Sequence, residues 1–445
     1  MYRIPFGKGE IEFRLPQGLR GRIAASQPLP PASDVQAAIL QALEHPINAL
    51  PLRQMARPGQ TVCIVFTDIT RSSPDHLLVP ALLAELSSAG VRDQDVILLC
   101  GIGMHRPSTP DEKVVKLGRA VVDRYRVIDS EPQNPEALVD LGRSSSGIPL
   151  SVHRAAAEAD ILIATGLVEP HQYGGYSGGR KTVAVGAAGE AMIAYTHGPN
   201  MIDLPGTRLG RIQGNPFHEA ITEAARRSGL KFILNVVLDD DKQVVAVKAG
   251  EPEAAFEELV AVARQVYEVP VPQQYDVVIG GVGYPKDTNL YQASRAASYL
   301  FFAPTPVVRD GGFVIIAAPC QEGAGEGVGE QRFYETIRGA QDMPSLLEDL
   351  RRTGYPPGAQ RAFVMAKVLE KVRVVVVGAQ DPDLIRDCKM IPQDTMENAL
   401  ELVMQELELP QDVLIVPRAL LTLPIVSPRM GARSSVASQA RSNDD

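Results

Sequence analysis

Residues 160–181 read DILIATGLVEPHQYGGYSGGRK. The stretch opens as an apolar run, Asp160–Thr165, and passes into a glycine-rich loop, Gly166–Gly179. A short apolar run bounded by turn residues reads as a buried strand. The same unit lies upstream. Thr61–Phe66 is a strand, Thr67–Ser73 its loop, and Pro74 opens a helix that Gly90 closes. Asp95–Cys100 leads into the loop Gly101–Ser108. There Thr109-Pro110-Asp111-Glu112 supplies a capping box with proline at the first helical position. Downstream, Tyr275–Gly280, Phe313–Ala317 and Val372–Val377 are strands separated by helices. This alternation predicts an α/β protein with mainly parallel sheets.

The remaining chain completes this outline. The N-terminus alternates polar and apolar residues as a small β start, and Ser33-Asp34-Val35-Gln36 offers a capping box. After it, Val35, Ile39, Leu40 and Leu43 form one apolar helical stripe. Phe232–Val237 and Gln243–Val247 read as a hairpin turning at Asp239–Asp241. Two prolines in Pro270-Val271-Pro272 mark a linker. The expected units are an N-terminal domain over 1–268, a C-terminal domain over 269–425 and a polar, disordered tail over 426–445.

Composition limits the function. The 445 residues carry a net charge of −9, no Trp and 5% aromatics, with no dense Lys/Arg run. That excludes phosphate-driven nucleic-acid binding and base-stacking platforms. No apolar run reaches the ~18–20 residues that span a bilayer, and no secretory h-region stands at the N-terminus. The four cysteines (Cys63, Cys100, Cys320, Cys388) form no CxxC pair, which points to a reducing cytoplasm. Self-association stays open.

Four polar clusters each follow a strand: Thr67–Arg71, Gly101–Pro107, Glu169–Lys181 and Tyr284–Arg295. Ligands of open parallel sheets bind outside the carboxyl ends of strands, so the clusters point to one cleft drawn from both halves. Of seven histidines, His105, His171 and His197 lie in or beside Gly/Pro-rich loops. They suit metal ligation, general base chemistry or both, although none of the spacings is that of a zinc helix. Ser177-Gly178-Gly179-Arg180-Lys181 combines a hydroxyl, flexible backbone and two cations, as a phosphate cradle does, without the full GxxxxGK(S/T) pattern. A tight surface turn is the plain alternative. The run Gly323–Gly327 reads as a mobile loop. Arg71 can fork onto a carboxylate, with Asp68 holding a ribose hydroxyl or orienting Arg71; a surface ion pair is the alternative. Arg295 falls one turn into a helix after Tyr291 and Gln292.

Taken together, Asp68, Arg71, His105-Arg106-Pro107, Glu169-Pro170-His171, Ser177–Lys181, His197 and Tyr291-Gln292-Ala293 resemble the nickel-dependent lactate racemase family over about residues 10–420. The resemblance implies two α/β domains with mainly parallel sheets and the active site in the cleft between them, and a nickel-pincer nucleotide, a modified pyridinium mononucleotide with two sulfur-containing arms and a nickel–carbon bond. It implies inversion at C2 of a 2-hydroxyacid by hydride transfer to and from that cofactor. His105 and His171 would be paired acid/base residues and His197 the protein's nickel ligand. Lys181 would tether the cofactor, with Asp68, Ser177, Gly178, Gly179 and Arg180 around the nucleotide. Arg71, Gln292 and Arg295 would bind the substrate. Separate cofactor-building enzymes would load the protein. Two departures stand out. Arg295 replaces the lysine of the lactate enzyme, and the chain lacks its pocket tryptophan, with Gln360 or Arg361 as the approximate counterpart. A more polar wall implies a substrate larger or more polar than lactate, such as malate or a sugar acid. The alternatives are a zinc metallohydrolase built on the three loop histidines and a non-catalytic nucleotide-binding protein.

Overall fold

A computed structural model describes residues 1–356, 358–408 and 411–427. Two six-stranded sheets carry the fold. In the first, the order across the sheet is Val244–Gly250, Leu230–Leu238, Ile161–Leu167, Val62–Thr67, Val96–Gly101 and Arg126–Asp129. All neighbours run parallel except Val244–Gly250, the second arm of the expected hairpin. Val62 through Phe66 are buried without exception, because helices or loops cover both faces of a parallel sheet. Burying each such side chain contributes about 1.5–3 kcal/mol.

The second sheet runs Ile391–Gln393, Arg373–Val377, Val308–Ala317, Tyr275–Gly281, Gln411–Val416 and Leu19–Ile23, all parallel. Its last member corrects the expected domain boundary. The hairpin Tyr2–Phe6/Gly9–Phe13 and the strand Leu19–Ile23 lie with the second sheet, not with the unit 1–268 in which the sequence places them. The presumed linker is also structured: Glu268–Val271 pairs in parallel with Leu423–Val426. Proline is tolerated in such a two-stranded edge. The expected tail lies outside the described residues from 428 onward.

Local signals are mostly realised. The Thr109/Glu112 capping box forms both of its hydrogen bonds, and Gly90 ends Asp75–Ser88 at φ +80°. The helix Val35–Glu44 is capped instead by Asp34, whose carboxylate accepts from Ala37 N, and Leu40 leaves the apolar stripe at 55% exposure. All four cysteines are buried thiols. Among the described residues no helix is long and apolar enough to cross a membrane.

In both sheets the strand order reverses beside a central strand. Val62–Thr67 separates Ile161–Leu167 from Val96–Gly101, and Tyr275–Gly281 separates Gln411–Val416 from Val308–Ala317. Loops leave such a switch point in opposite directions and open a crevice. The loops from both sheets line one cleft of about 1030 Å³.

Candidate active site

The loop after Val62–Thr67 delivers Asp68 and Arg71 to the cleft. Asp68 is turned toward His105. Its Oδ2 lies 2.8 Å from His105 Nδ1, and Thr70 Oγ1 donates to both of its oxygens at 2.9 and 3.1 Å. Burial pushes the carboxyl up, but the His105 hydrogen bond and charge, with Thr70 and Arg71, outweigh it and hold Asp68 below the usual carboxylate range. An ionised carboxylate accepts only, so His105 donates from Nδ1 and Nε2 is the nitrogen left for other chemistry.

The loop bearing His105 is held by close backbone packing. Gly103 N donates to Gly186 O at 2.8 Å. A Cβ on Gly186 would stand 2.9 Å from Gly101 O, and one on Gly101 would stand 2.9 Å from Thr182 O. Gly186 closes the wide turn Thr182–Gly186, where Ala187 N bonds Thr182 O in an i→i+5 pattern. Such π-type turns concentrate at functional sites, and this one directly follows Lys181.

His171 sits in the short hairpin Pro170–His171/Gly175–Tyr176. Its Nδ1 accepts from the amides of Gly174 at 3.1 Å and Tyr173 at 3.4 Å. The proton is therefore on Nε2, the reverse of His105. Burial, with Lys181, Arg71, His197 and Arg295 nearby, pulls its pKa well down, so the ring is neutral. His197 follows the helix Glu190–Thr196, and its Nδ1 lies 3.1 Å from Ile193 O, leaving the Nε2 lone pair free. Burial and the Lys181 charge pull its pKa to about 4. Tyr173 and Phe217 meet its ring edge to face, and Tyr355 Oη donates to its carbonyl at 2.7 Å. An imidazole oriented by a backbone carbonyl through its other nitrogen is the arrangement of a metal ligand.

The turn Gly179–Lys181 separates its two cations. Successive helical side chains point about 100° apart, so both cannot face the cleft. Lys181 does, and burial with the Arg71 charge pulls its amine to about 7. Arg180 turns into the core, where its guanidinium lies 3.7 Å from the Phe256 ring centroid and donates to Thr222 Oγ1. Gly179 packs against Ile233. Ser177 borders the cleft, but its hydroxyl is engaged with Leu167 O and Glu169 N. Of the expected cradle, Gly178 and Lys181 face the cleft, Ser177 staples its own loop, and Gly179 and Arg180 are structural.

The second half closes the far wall. Asn289 caps the helix Leu290–Ala293, and Arg295 begins the next helix, Arg295–Phe301. Arg295 donates to Gln292 Oε1 at 3.3 Å and to Tyr299 Oη at 2.6 Å. Arg361 donates to Ser298 Oγ at 3.0 Å and stacks over Tyr291. The Nε atoms of both arginines are buried without a partner among the described residues. The Gly323–Gly327 run is tied to this wall: Leu290 N donates to Gly323 O, and Gly327 caps Val328–Gly339 at the cleft edge.

Sequence reasoning assigned no role to Glu169 or Lys286, though both sit in clusters it marked, and it passed over Tyr355. Glu169 lines the cleft with a pKa raised by burial against the opposing pull of Arg71, Arg295, Lys181 and Lys286. Tyr355 carries no local signal, since its partner His197 is 158 residues away.

One α/β cleft thus gathers Asp68, three histidines and several arginines. Comparison with known proteins gives the family. The lactate racemase N-terminal domain model matches residues 6–210 and the C-terminal domain model residues 271–422. A lactate racemase of Thermoanaerobacterium thermosaccharolyticum is 30% identical over 405 residues, covering 90% of this chain and 93% of the relative. One from Lactiplantibacillus plantarum is 32% identical over 370 residues, covering 82% and 85%. The structure of the Thermoanaerobacterium apoprotein superposes with a TM-score of 0.84 at 29% identity, covering 95% of this chain and 99% of that one. A Thermotoga maritima protein, at 20% identity and a TM-score of 0.62 over 84% of this chain and 96% of its own, shares the fold. The chain is thus an isomerase of the racemase and epimerase class. It belongs to the lactate racemase family.

Proposed function

We propose that the protein inverts C2 of a 2-hydroxyacid with a nickel-pincer nucleotide. The observation that carries this reading is the contrasting engagement of His105 and His171, one Nδ1 meeting the Asp68 carboxylate and the other accepting from two backbone amides. Inversion needs a proton handled on each side of the substrate.

The residues suit the cofactor. His197 offers a neutral nitrogen oriented by Ile193 O, a donor type that nickel accepts. Lys181 has an amine neutral often enough near pH 7 to act as a nucleophile toward a covalent link. Among the described residues no three His, Cys, Asp or Glu side chains gather as a metal cluster. That favours a metal held partly by an organic group over a three-histidine zinc site, and so disfavours the metallohydrolase. When bound, the nickel-pincer nucleotide supplies an acceptor for the C2 hydride.

The chain's own residues do the rest. Arg71 holds the substrate carboxylate, because a planar fork matches two oxygens. Asp68 fixes the His105 ring, whose Nε2 takes the hydroxyl proton. His171 presents its Nε2–H from the other strand's loop. Gln292, Arg295 and Tyr299 form one polar unit for the rest of the substrate. Arg361, 7% exposed and without a carboxylate partner among the described residues, supports a substrate more polar or larger than lactate, such as malate or a sugar acid. Loading requires the cofactor-building enzymes.

The test uses protein co-expressed with those enzymes. His105→Ala and His171→Ala should each lower inversion about 100- to 10,000-fold while retaining nickel. In the native enzyme, kcat/KM should favour malate or a sugar acid over lactate. Full activity in either variant would remove its histidine from the mechanism, and lactate as best substrate would remove the polar-wall reading.

A further inference from the structure

Beneath the cleft lies a buried ion pair that the proposed reaction does not use. Asp75 is 0% and Lys116 6% exposed, and their charged atoms are 2.7 Å apart. The surrounding network is fully engaged. Asp75 Oδ2 accepts from Thr67 Oγ1 at 2.6 Å, while Oδ1 accepts from Thr165 Oγ1 at 2.6 Å and Ser73 Oγ at 3.2 Å. Lys116 Nζ donates to Thr67 Oγ1 at 3.0 Å and to the carbonyls of Ser73 and Arg71 at 2.9 and 3.2 Å.

The location is informative. Thr67 ends one central strand and Thr165 lies near the end of its neighbour. Their parallel ladder runs from Val62↔Ile161 only to Val65↔Ala164. Beyond that pair the strands separate, and the Asp75 carboxylate bridges them where the backbone ladder has stopped. Thr67 leads directly to Asp68, which holds His105, and Thr165 leads to the loop of His171. Thr165 O also accepts from Thr182 Oγ1 at 2.9 Å, beside Lys181. Lys116 stands on the helix Pro110–Leu117, which follows the His105 loop.

We propose that Asp75 and Lys116 are positioning residues that set the spacing between His105 and His171 by bridging the splayed ends of two strands. A buried pair of this kind is weak evidence for stability by itself, because desolvation offsets its attraction. Its value lies in the geometry it imposes, since all its donors and acceptors have fixed partners. The proposal rests on the acid/base roles given to the two histidines.

The experiment compares three variants of the loaded enzyme: Thr165→Val, Lys116→Met, and Asp75→Asn combined with Lys116→Met. Thr165→Val deletes only the bridge to the second strand and keeps the side-chain shape. It should lower kcat about 10- to 100-fold, the scale of a misplacement near 1 Å, with KM and nickel content near native values. Lys116→Met leaves a buried charge and should lower both melting temperature and kcat. The neutral double variant should regain melting temperature without regaining kcat. Native kcat in Thr165→Val, or recovery of kcat together with melting temperature in the double variant, would overturn the proposal and leave the pair a stabilising element. His105→Ala and His171→Ala, assayed in parallel, separate the two claims. If they stay active, the acid/base reading fails; if they are inactive while Thr165→Val is native, only the positioning role fails.

Discussion

At the scale of single residues, chemistry is set by which atom of a side chain is already occupied. His105, His171 and His197 share a side chain and each engages Nδ1, yet with a carboxylate, two amides and a carbonyl respectively, so the same atom plays different roles. Loop position alone marks all three as candidates but does not separate their tasks, because the partners of His105 and His197 are set by the fold. Arg180 and Lys181 make the same point: adjacent cations part company once the turn directs one inward. Lys181 yields a direct prediction. Burial first, and the Arg71 charge second, bring its pKa from 10.5 to about 7. The unfolded chain therefore binds more protons between these values, so the group opposes folding fully below pH 7 and progressively less as pH rises toward 10.5. In the cofactor-free protein, acylation of Lys181 followed by peptide mass spectrometry should show a midpoint near 7, well below that of surface lysines. A midpoint near the ordinary lysine value would mean that the amine is not activated.

Between elements, close approach decides whether the histidine loops meet their partners. The backbone contact of Gly101 with Gly186 has no room for a Cβ on either residue. Gly186→Ala should cost about 1–3 kcal/mol of stability through overpacking and should shift the His105 loop, lowering kcat. Denaturant unfolding with a kinetic assay would check both; an unchanged unfolding midpoint would mean that the contact relaxes freely. The sequence shows why some elements are legible and others not. Val62–Thr67, Val96–Gly101 and Ile161–Leu167 announce themselves because both faces are buried and the apolar run is unbroken. Leu19–Ile23, reading LRGRI, buries only Leu19 and takes its strand character from Gln411–Val416. Glu268–Val271 is hidden by its own proline, and its partner is likewise remote. The site followed the same rule. Loops after strong strands were located, whereas the cross-element contacts that assign Asp68 to His105 and Tyr355 to His197 were not.

For the whole molecule, the two halves share one apolar cluster and are also tied by polar contacts. Asp203, shortly after His197, pairs with Lys367 at 2.6 Å and Arg351 at 2.7 Å from the second half. Burial pushes its carboxyl up, but Arg351 and Lys367 outweigh that and hold it low. A carboxyl depressed on folding contributes stability above its unfolded pKa and loses it as pH falls through the folded value. Asp203→Asn should lower the melting temperature by about 1–3 °C at neutral pH and should flatten the acid limb of the stability profile. Identical acid limbs in calorimetry would show that the clamp carries no stability. The most consequential tie is the edge strand near the start of the chain. Arg20 meets Asp412 across 392 residues. During synthesis from the N-terminus, Leu19–Ile23 emerges long before Gln411–Val416 and has no sheet neighbour until that strand is made. The first sheet can assemble meanwhile, since Val62 through Gly250 carries all its strands. Until Gln411–Val416 is made the newborn protein can therefore hold only one wall of its cleft, and the second wall closes on a strand that has waited since the first tens of residues.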